Sequence, residues 1–323
     1  MGYLIQVKSS TNQVTEYLKG ILKPRNSMLG KVLEYLRSWI VIIRAWSMPM
    51  TIASITLAAA YTHCLGYRIS IVSLALALIG ALLLHMSVNV INDYYDTLYG
   101  VDTPDVLRYR PHAILMGITN TKSMLNIGLA LLITGSLMGI YLALTVSPLI
   151  LIIGAIGVFL VYEYTGPPLK LKYKGLGELS VFLAWGPLMA LGSMLASTGT
   201  IDYVVALVSI PVALLVVATL YANNVRDIER DRGNGAYTLA VMLGRNAKWL
   251  YVALLLGTYT VQAILILLNL LPIYTVITIA LTPLMARMLR RAVNNSFEHL
   301  DEVTSLYSLA YAALLIVGLM IKF

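Results

Sequence analysis

SIVSLALALIGALLLHMSVNVINDYYD, residues 70–96, sets the architecture of this chain. It opens with about 20 mainly apolar residues, the length a helix needs to cross the hydrocarbon core of a bilayer. It closes on Asn89-Val-Ile-Asn92-Asp93-Tyr-Tyr-Asp96. On a helix Asn89, Asn92, Asp93 and Asp96 stand three or four positions apart and share one face. Carboxylates at the end of a membrane span are costly unless they are paired, hydrated or bound to a cation. The segment therefore reads as a transmembrane helix with a chemical site at one end. His85, four residues before Asn89, lies on the same stripe and reads as a hydrogen-bonded residue of the bundle interior rather than as a catalytic group.

The rest of the chain follows the same pattern. Of 323 residues, 59% are hydrophobic and only 12% charged, half the charged share of an ordinary soluble domain. Apolar stretches at 40–62, 70–91, 123–143, 147–163, 178–198, 203–222, 247–268, 271–286 and 304–321 predict an all-α, polytopic membrane bundle of about nine transmembrane helices. A single cysteine, Cys64, excludes an internal disulfide.

The net charge of +8 does not indicate nucleic acid, because its placement follows the membrane. Of 23 Lys and Arg, all but Arg68 and Lys322 fall at or before Arg44 or in four long loops. By the positive-inside rule those loops and the N-terminus face the cytoplasm, in a multi-pass protein of the cell membrane. Among the acids only Asp202 falls in a loop on the outer side. Residues 1–38 carry no signal-peptide pattern and form an expected cytoplasmic or interfacial segment, with Leu29 to Trp39 as a short helix at headgroup level. Residues 39–323 form one transmembrane domain.

A second polar cluster ends the sixth apolar stretch: Asn223-Asn224-Val-Arg226-Asp227-Ile-Glu-Arg-Asp231. Two clusters separated by an even number of spans end on the same side of the membrane, as in a parallel repeat. Their carboxylates can share Mg²⁺, which keeps positions for water and for a substrate phosphate. The asparagines supply donors and acceptors around that site. Arg226, Arg230, Arg232, Lys170, Lys172 and Lys174 add positive charge beside it. Acids and bases interleaved in this way suit a diphosphate. Glycines recur within the apolar stretches at 80, 135, 139, 154, 157, 186 and 192 and read as helix-packing positions. Neither Asp93 nor Asp227 is expected to pack in the core, so replacing either should leave the bundle folded.

The first cluster, followed by Gly100-Val-Asp102, resembles the first aspartate-rich motif of the UbiA superfamily of intramembrane prenyltransferases. NNVRDIERDRGNGAYTLAVMLG, residues 223–244, closely resembles the second motif of its 1,4-dihydroxy-2-naphthoate polyprenyltransferase branch. YTGPPLKLKYKGLGE, residues 164–178, is similar to that branch's intermediate loop, and Arg44-Ala-Trp46-Ser-Met-Pro49 to the start of the family's first span. The likeness runs from about residue 40 to the C-terminus; Ala236-Tyr237 departs from it where basic residues are common.

The resemblance implies a helical bundle around a lipid-open cavity capped by cytoplasmic loops. Mg²⁺ held by Asp93, Asp96, Asp227 and Asp231 would grip a polyprenyl diphosphate, with Arg226 and Lys172 on its phosphate oxygens and Asn89, Asn92, Asn223 and Asn224 around them. Neutralising the leaving diphosphate frees an allylic cation, to which Tyr94, Tyr95, Tyr162 and Tyr164 could offer ring faces. An aromatic quinone precursor is the expected acceptor, entering past Arg108, Arg110 and Lys170. The partners expected are thus the prenyl diphosphate, the aromatic acceptor and membrane lipid, with no nucleic acid and no obligate protein partner. An isoprenoid glycerol phosphate is the alternative acceptor. A cation-coupled transporter is the alternative of another class, disfavoured because its ligands would sit near the midplane in inverted repeats.

Overall fold

The computed structural model describes residues 28–321. Every apolar stretch is helical, and no strand occurs among the described residues. In chain order the helices are α1 (Met28–Ile42), α2 (Met48–Cys64), α3 (Ile71–Leu98), α4 (Thr121–Thr145), α5 (Ile150–Glu163), α6 (Gly177–Thr198), α7 (Val204–Arg226), α8 (Ile228–Gly233), α9 (Leu239–Leu267), α10 (Ile273–Val293) and α11 (Leu300–Met320).

Seven of these (α3, α4, α6, α7, α9, α10 and α11) are long and apolar enough to cross a membrane. The α2 segment qualifies when joined to α1 across a 60° bend. The 14 residues of α5 reach only about 21 Å and make the short ninth member. Segment Leu29 to Trp39 does form a helix, inside α1, so the sequence boundary at residue 38 falls within a helix rather than at a linker.

Local signals set the helix starts. Ser70 accepts from the Ser73 amide at the head of α3, and Asn120 from the Ser123 amide at 2.8 Å at the head of α4. Both are ordinary N-caps. Pro49 stands in the first turn of α2 and Pro283 in the α-helical part of α10.

Helices α3 and α4 touch along small residues. A Cβ on Gly135 would meet the Gly80 carbonyl at 3.1 Å, and one on Gly128 would meet Ile91 at 2.7 Å. Ser87 Oγ donates to the Gly128 carbonyl at 2.8 Å across the same seam. The centre of the bundle is α7, where Leu215, Ala218 and Tyr221 are buried. Between α9, α10 and α11 the interior is polar but satisfied: Gln262 Nε2 donates to the Thr275 carbonyl at 2.8 Å, while Thr278 and Tyr311 hydroxyls donate to Gln262 Oε1. Such pairing is required where lipid offers no hydrogen bonds.

Candidate active site

Both polar clusters open at one end of the bundle onto a single cavity of about 780 Å³. The helical spacing places Asp93 and Asp96 on nearby faces, yet their side chains diverge. Asp93 is fully buried in a knot of cations and does not itself line the cavity, although Arg44, Arg110 and Asp102 of that knot do. It accepts from Arg44 and lies 3.1 Å from Arg110 Nη1 and 3.5 Å from His112 Nε2. Asp102 closes the knot, 2.7 Å from Arg110 Nη2 and 3.1 Å from His112 Nε2. The expectation that neither Asp93 nor Asp227 is packed inside is therefore corrected: both are buried, Asp93 in this knot and Asp227 between Arg226 and Arg230. A residue three positions from Asp96 is turned by about 60° around the helix, enough to face its neighbours instead of the cavity.

Asp96 faces the cavity. It accepts from Asn92 Nδ2 at 2.9 Å, from Lys172 Nζ at 2.6 Å and from the Tyr173 hydroxyl. The loop between α5 and α6 presents Lys172. Glu163 accepts the Leu169 amide at 2.7 Å, Lys170 adopts a left-handed conformation (φ 52°), and the Lys172 amide donates to the Tyr164 carbonyl at 2.8 Å. Burial opposes charge on Lys172, but Asp96, Asp231 and Asp102 outweigh it and hold the ammonium above its usual range.

The second cluster sits where α7 gives way to α8. Asp227 leaves helical geometry (φ −96°, ψ 6°), but its amide still bonds the Asn223 carbonyl and its carbonyl the Asp231 amide, at 3.1 and 2.9 Å. The spacing of four between these residues survives the break. Arg226 spans Asp227 and Asp301, at 3.0 and 2.8 Å, also reaches Asn223, and lies 4.3 Å from the centre of the Tyr109 ring. Arg230 Nη2 meets Asp227 at 2.8 Å. Asn224 is buried and donates to Glu178 at 2.8 Å.

Asp231 is buried close to the charges of Asp227 and Asp96. Burial pushes its carboxyl up to about 6; Lys172 and Arg230 pull it down, and the charges of Asp227 and Asp96 add to the rise. Hard carboxylate oxygens from Asp96, Asp227 and Asp231 gathered beside one cavity are the donor chemistry that a divalent cation of the Mg²⁺ kind takes. A buried Arg230 Nε and a buried Asp301 Oδ1 with no hydrogen-bond partner add unspent polar capacity beside it.

The cavity wall thus brings together Asn89, Asn92, Asp96, Lys172, Asn223, Asn224, Arg226 and Asp227 from the sequence reading. Asp231 stands just behind. Three expected residues are elsewhere. Arg108 is exposed and pairs with Asp105 at 3.4 Å; Arg110, two residues on, takes the wall position. Lys170 covers the Tyr99 ring at 3.7 Å. Tyr162 hydrogen-bonds Tyr95 at 3.2 Å within a cluster of tyrosines, and Tyr164 alone of the four proposed ring donors lines the cavity. The sequence reading passed over Asp301 and Glu302, whose signal was an acidic pair opening the last span on the same side as both clusters. His85 is, as expected, a hydrogen-bonded interior residue, 2.8 Å from Thr51 and 3.2 Å from Ser47.

A helical membrane bundle with two acidic, amide-rich helix ends over one apolar cavity defines the frame of an intramembrane enzyme. The UbiA prenyltransferase family model matches residues 47–310, and the chain belongs to that family of membrane prenyltransferases. It is 29% identical over 289 residues to UbiA prenyltransferase domain-containing protein 1 of Dictyostelium discoideum, covering 88% of this chain and 87% of that one. It is 33% identical over 223 residues to the 1,4-dihydroxy-2-naphthoate octaprenyltransferase of Mycobacterium tuberculosis, covering 67% and 74%. Among solved structures, a UbiA homologue from Aeropyrum pernix has a TM-score of 0.63 at 16% identity, covering 84% of this chain and 97% of that one. A UbiA homologue from Archaeoglobus fulgidus bound to GPP and Mg²⁺ has a TM-score of 0.54 at 15% identity, covering 87% and 99%.

Proposed function

We propose that this enzyme transfers a polyprenyl group from its diphosphate to an aromatic quinone precursor of the 1,4-dihydroxy-2-naphthoate type. The observation that carries the reading is the juxtaposition of Asp96, Asp227, Lys172 and Arg226 at the polar end of one apolar cavity. The naphthoate octaprenyltransferases among its relatives support the choice of acceptor.

Asp93, Asp96, Asp227 and Asp231 are the residues that would hold Mg²⁺. Asp93 stands with Asp102 and His112 in a buried group whose ligand atoms lie within 4.8 Å of one another, and it is also the counter-charge of Arg44 and Arg110. Bound there, the metal would neutralise charge on the leaving diphosphate. Lys172, Arg226 and Arg230 are placed to take phosphate oxygens, exchanging carboxylate partners for them. Asn92 and Asn223 orient the groups that face the phosphates. Tyr164 and Trp185 present rings to the cavity where positive charge develops on the prenyl carbon. The apolar wall keeps water from that carbon until the acceptor attacks. Arg110, with the loop that bears it, supplies positive charge for an acceptor carboxylate.

The domain reading goes with this function: residues 39–323 act as one unit, α1 lies along the headgroups, and the site and the N-terminus face the cytoplasm. The test is turnover. Purified protein with Mg²⁺, labelled polyprenyl diphosphate and a panel of acceptors should prenylate dihydroxynaphthoate. Turnover of an isoprenoid glycerol phosphate in its place would overturn the acceptor assignment and establish the ether-lipid alternative.

A further inference from the structure

We infer that Gly139, Gly154 and Gly157 set the length of prenyl chain this enzyme accepts; the inference rests on the prenyl-diphosphate reading of the cavity. The glycines of the membrane interior fall into two groups. Gly80, Gly135, Gly186 and Gly192 are packing positions, where an added Cβ would meet a neighbour between 2.8 and 3.6 Å away. At Gly139, Gly154 and Gly157 it would meet nothing within 4 Å. Helix packing therefore does not explain these three, and all three line the cavity.

Their location gives the missing side chains a consequence. The cavity wall follows α3 from Asp96 at the polar end back to Leu76, 20 residues away, or about 30 Å along the helix. Gly139 stands one turn beyond Gly135, which touches Gly80, so it lies level with that far end. Gly154 and Gly157 face it from α5. Beyond them Leu142 and Ile150 are buried against Leu195 and Leu76 and close the bundle. A diphosphate fixed among the carboxylates sends its chain toward this closed end, and the bare helix backbones leave room for its last units. A side chain at any of the three would fill that room without touching the phosphate site.

The test measures binding of non-hydrolysable prenyl thiolodiphosphates of increasing length, from geranyl upward, to the full-length protein with Mg²⁺. Gly139→Leu, Gly154→Leu and Gly157→Leu are compared with wild type and with Gly154→Ala. The leucine variants should bind the geranyl analogue within about twofold of wild type and the longest wild-type ligand about tenfold or more weakly, because each excluded unit forfeits its apolar burial. Gly154→Ala should keep the wild-type profile. Equal affinity for long analogues in wild type and in all three variants overturns the inference while leaving the prenyl reading intact, as does equal weakening at every length in variants that stay monodisperse. Failure of wild type to bind any analogue overturns the prenyl reading and the inference with it.

Discussion

Asp93 and Asp96 are three residues apart on one helix and should fail in different ways. Asp96→Asn keeps the side chain's shape but removes the charge that pairs with Lys172, and leaves one acceptor oxygen where Lys172 and Tyr173 now donate to two. Prenyl transfer should fall by at least about a hundredfold, since losing transition-state charge stabilisation costs about 2.7–4 kcal/mol. The loss of thermal stability should be smaller than in Asp93→Ala, because one cation loses its partner instead of several. Asp93→Ala strands Arg44, Arg110 and His112 around an uncompensated buried site. Unfolding should then require less heat or denaturant, with a loss of about 3–5 kcal/mol; an unchanged melting temperature would show that Asp93 is not the centre of that knot. A paired comparison tests the acceptor side. Arg110→Ala should raise the acceptor KM about tenfold or more, the worth of a charge-assisted hydrogen bond, whereas Arg108→Ala, exposed beside Asp105, should leave it within about twofold. Sequence spacing predicted a shared face for Asp93 and Asp96, but small differences of rotation on a shared face are decided by what packs against it. Arg108 and Arg110 sit in an irregular loop, where no periodicity distinguishes the inward residue from the outward one.

Among the elements, α11 approaches the first turns of α10 closely at a glycine. A Cβ on Gly318 would come within 2.6 Å of Thr275 Cα and 2.8 Å of the Tyr274 carbonyl, both backbone atoms that cannot swing away. Gly318→Ala should push the two elements apart and lower stability by about 1–3 kcal/mol, read as a lower unfolding temperature in detergent. The nine-residue 3₁₀ stretch Ile273–Leu281 on the other side of that contact was not legible beforehand. Its composition is simply apolar, and its hydrogen bonds to Gln262 depend on a partner helix. The apolar stretches themselves were legible, because length and hydropathy are what the bilayer selects, but their ends were not: the stretch read from 40 starts as a helix at Met48, and the one read from 247 starts at Leu239. The glycines were legible as small residues but not by role. Only the neighbouring helices distinguish Gly135, which packs, from Gly139, which faces open space.

Across the whole molecule, polar chemistry is concentrated in the loops at one end of the bundle. Asn234 Nδ2 donates to the Val101 carbonyl at 3.3 Å, linking the loop after α8 to the loop after α3. Trypsin should cut the substrate-free protein at the exposed Arg108, Arg232 and Arg245, and Mg²⁺ with a non-cleavable diphosphate should protect these sites. Equal cleavage in both conditions would argue against substrate-ordered loops. The elbow between α1 and α2 carries a different consequence, for assembly during synthesis. Arg44 turns the chain there in a left-handed conformation (φ 53°), unfavourable for a residue with a side chain. Its guanidinium is held by Asn92 and Asp93, and Asp93 is in turn held by Arg110 and His112. None of these partners exists when the first span leaves the ribosome. The elbow can therefore take its final shape only after the second span and the loop behind it have been made, so a joint near the start of the described residues is among the last to settle.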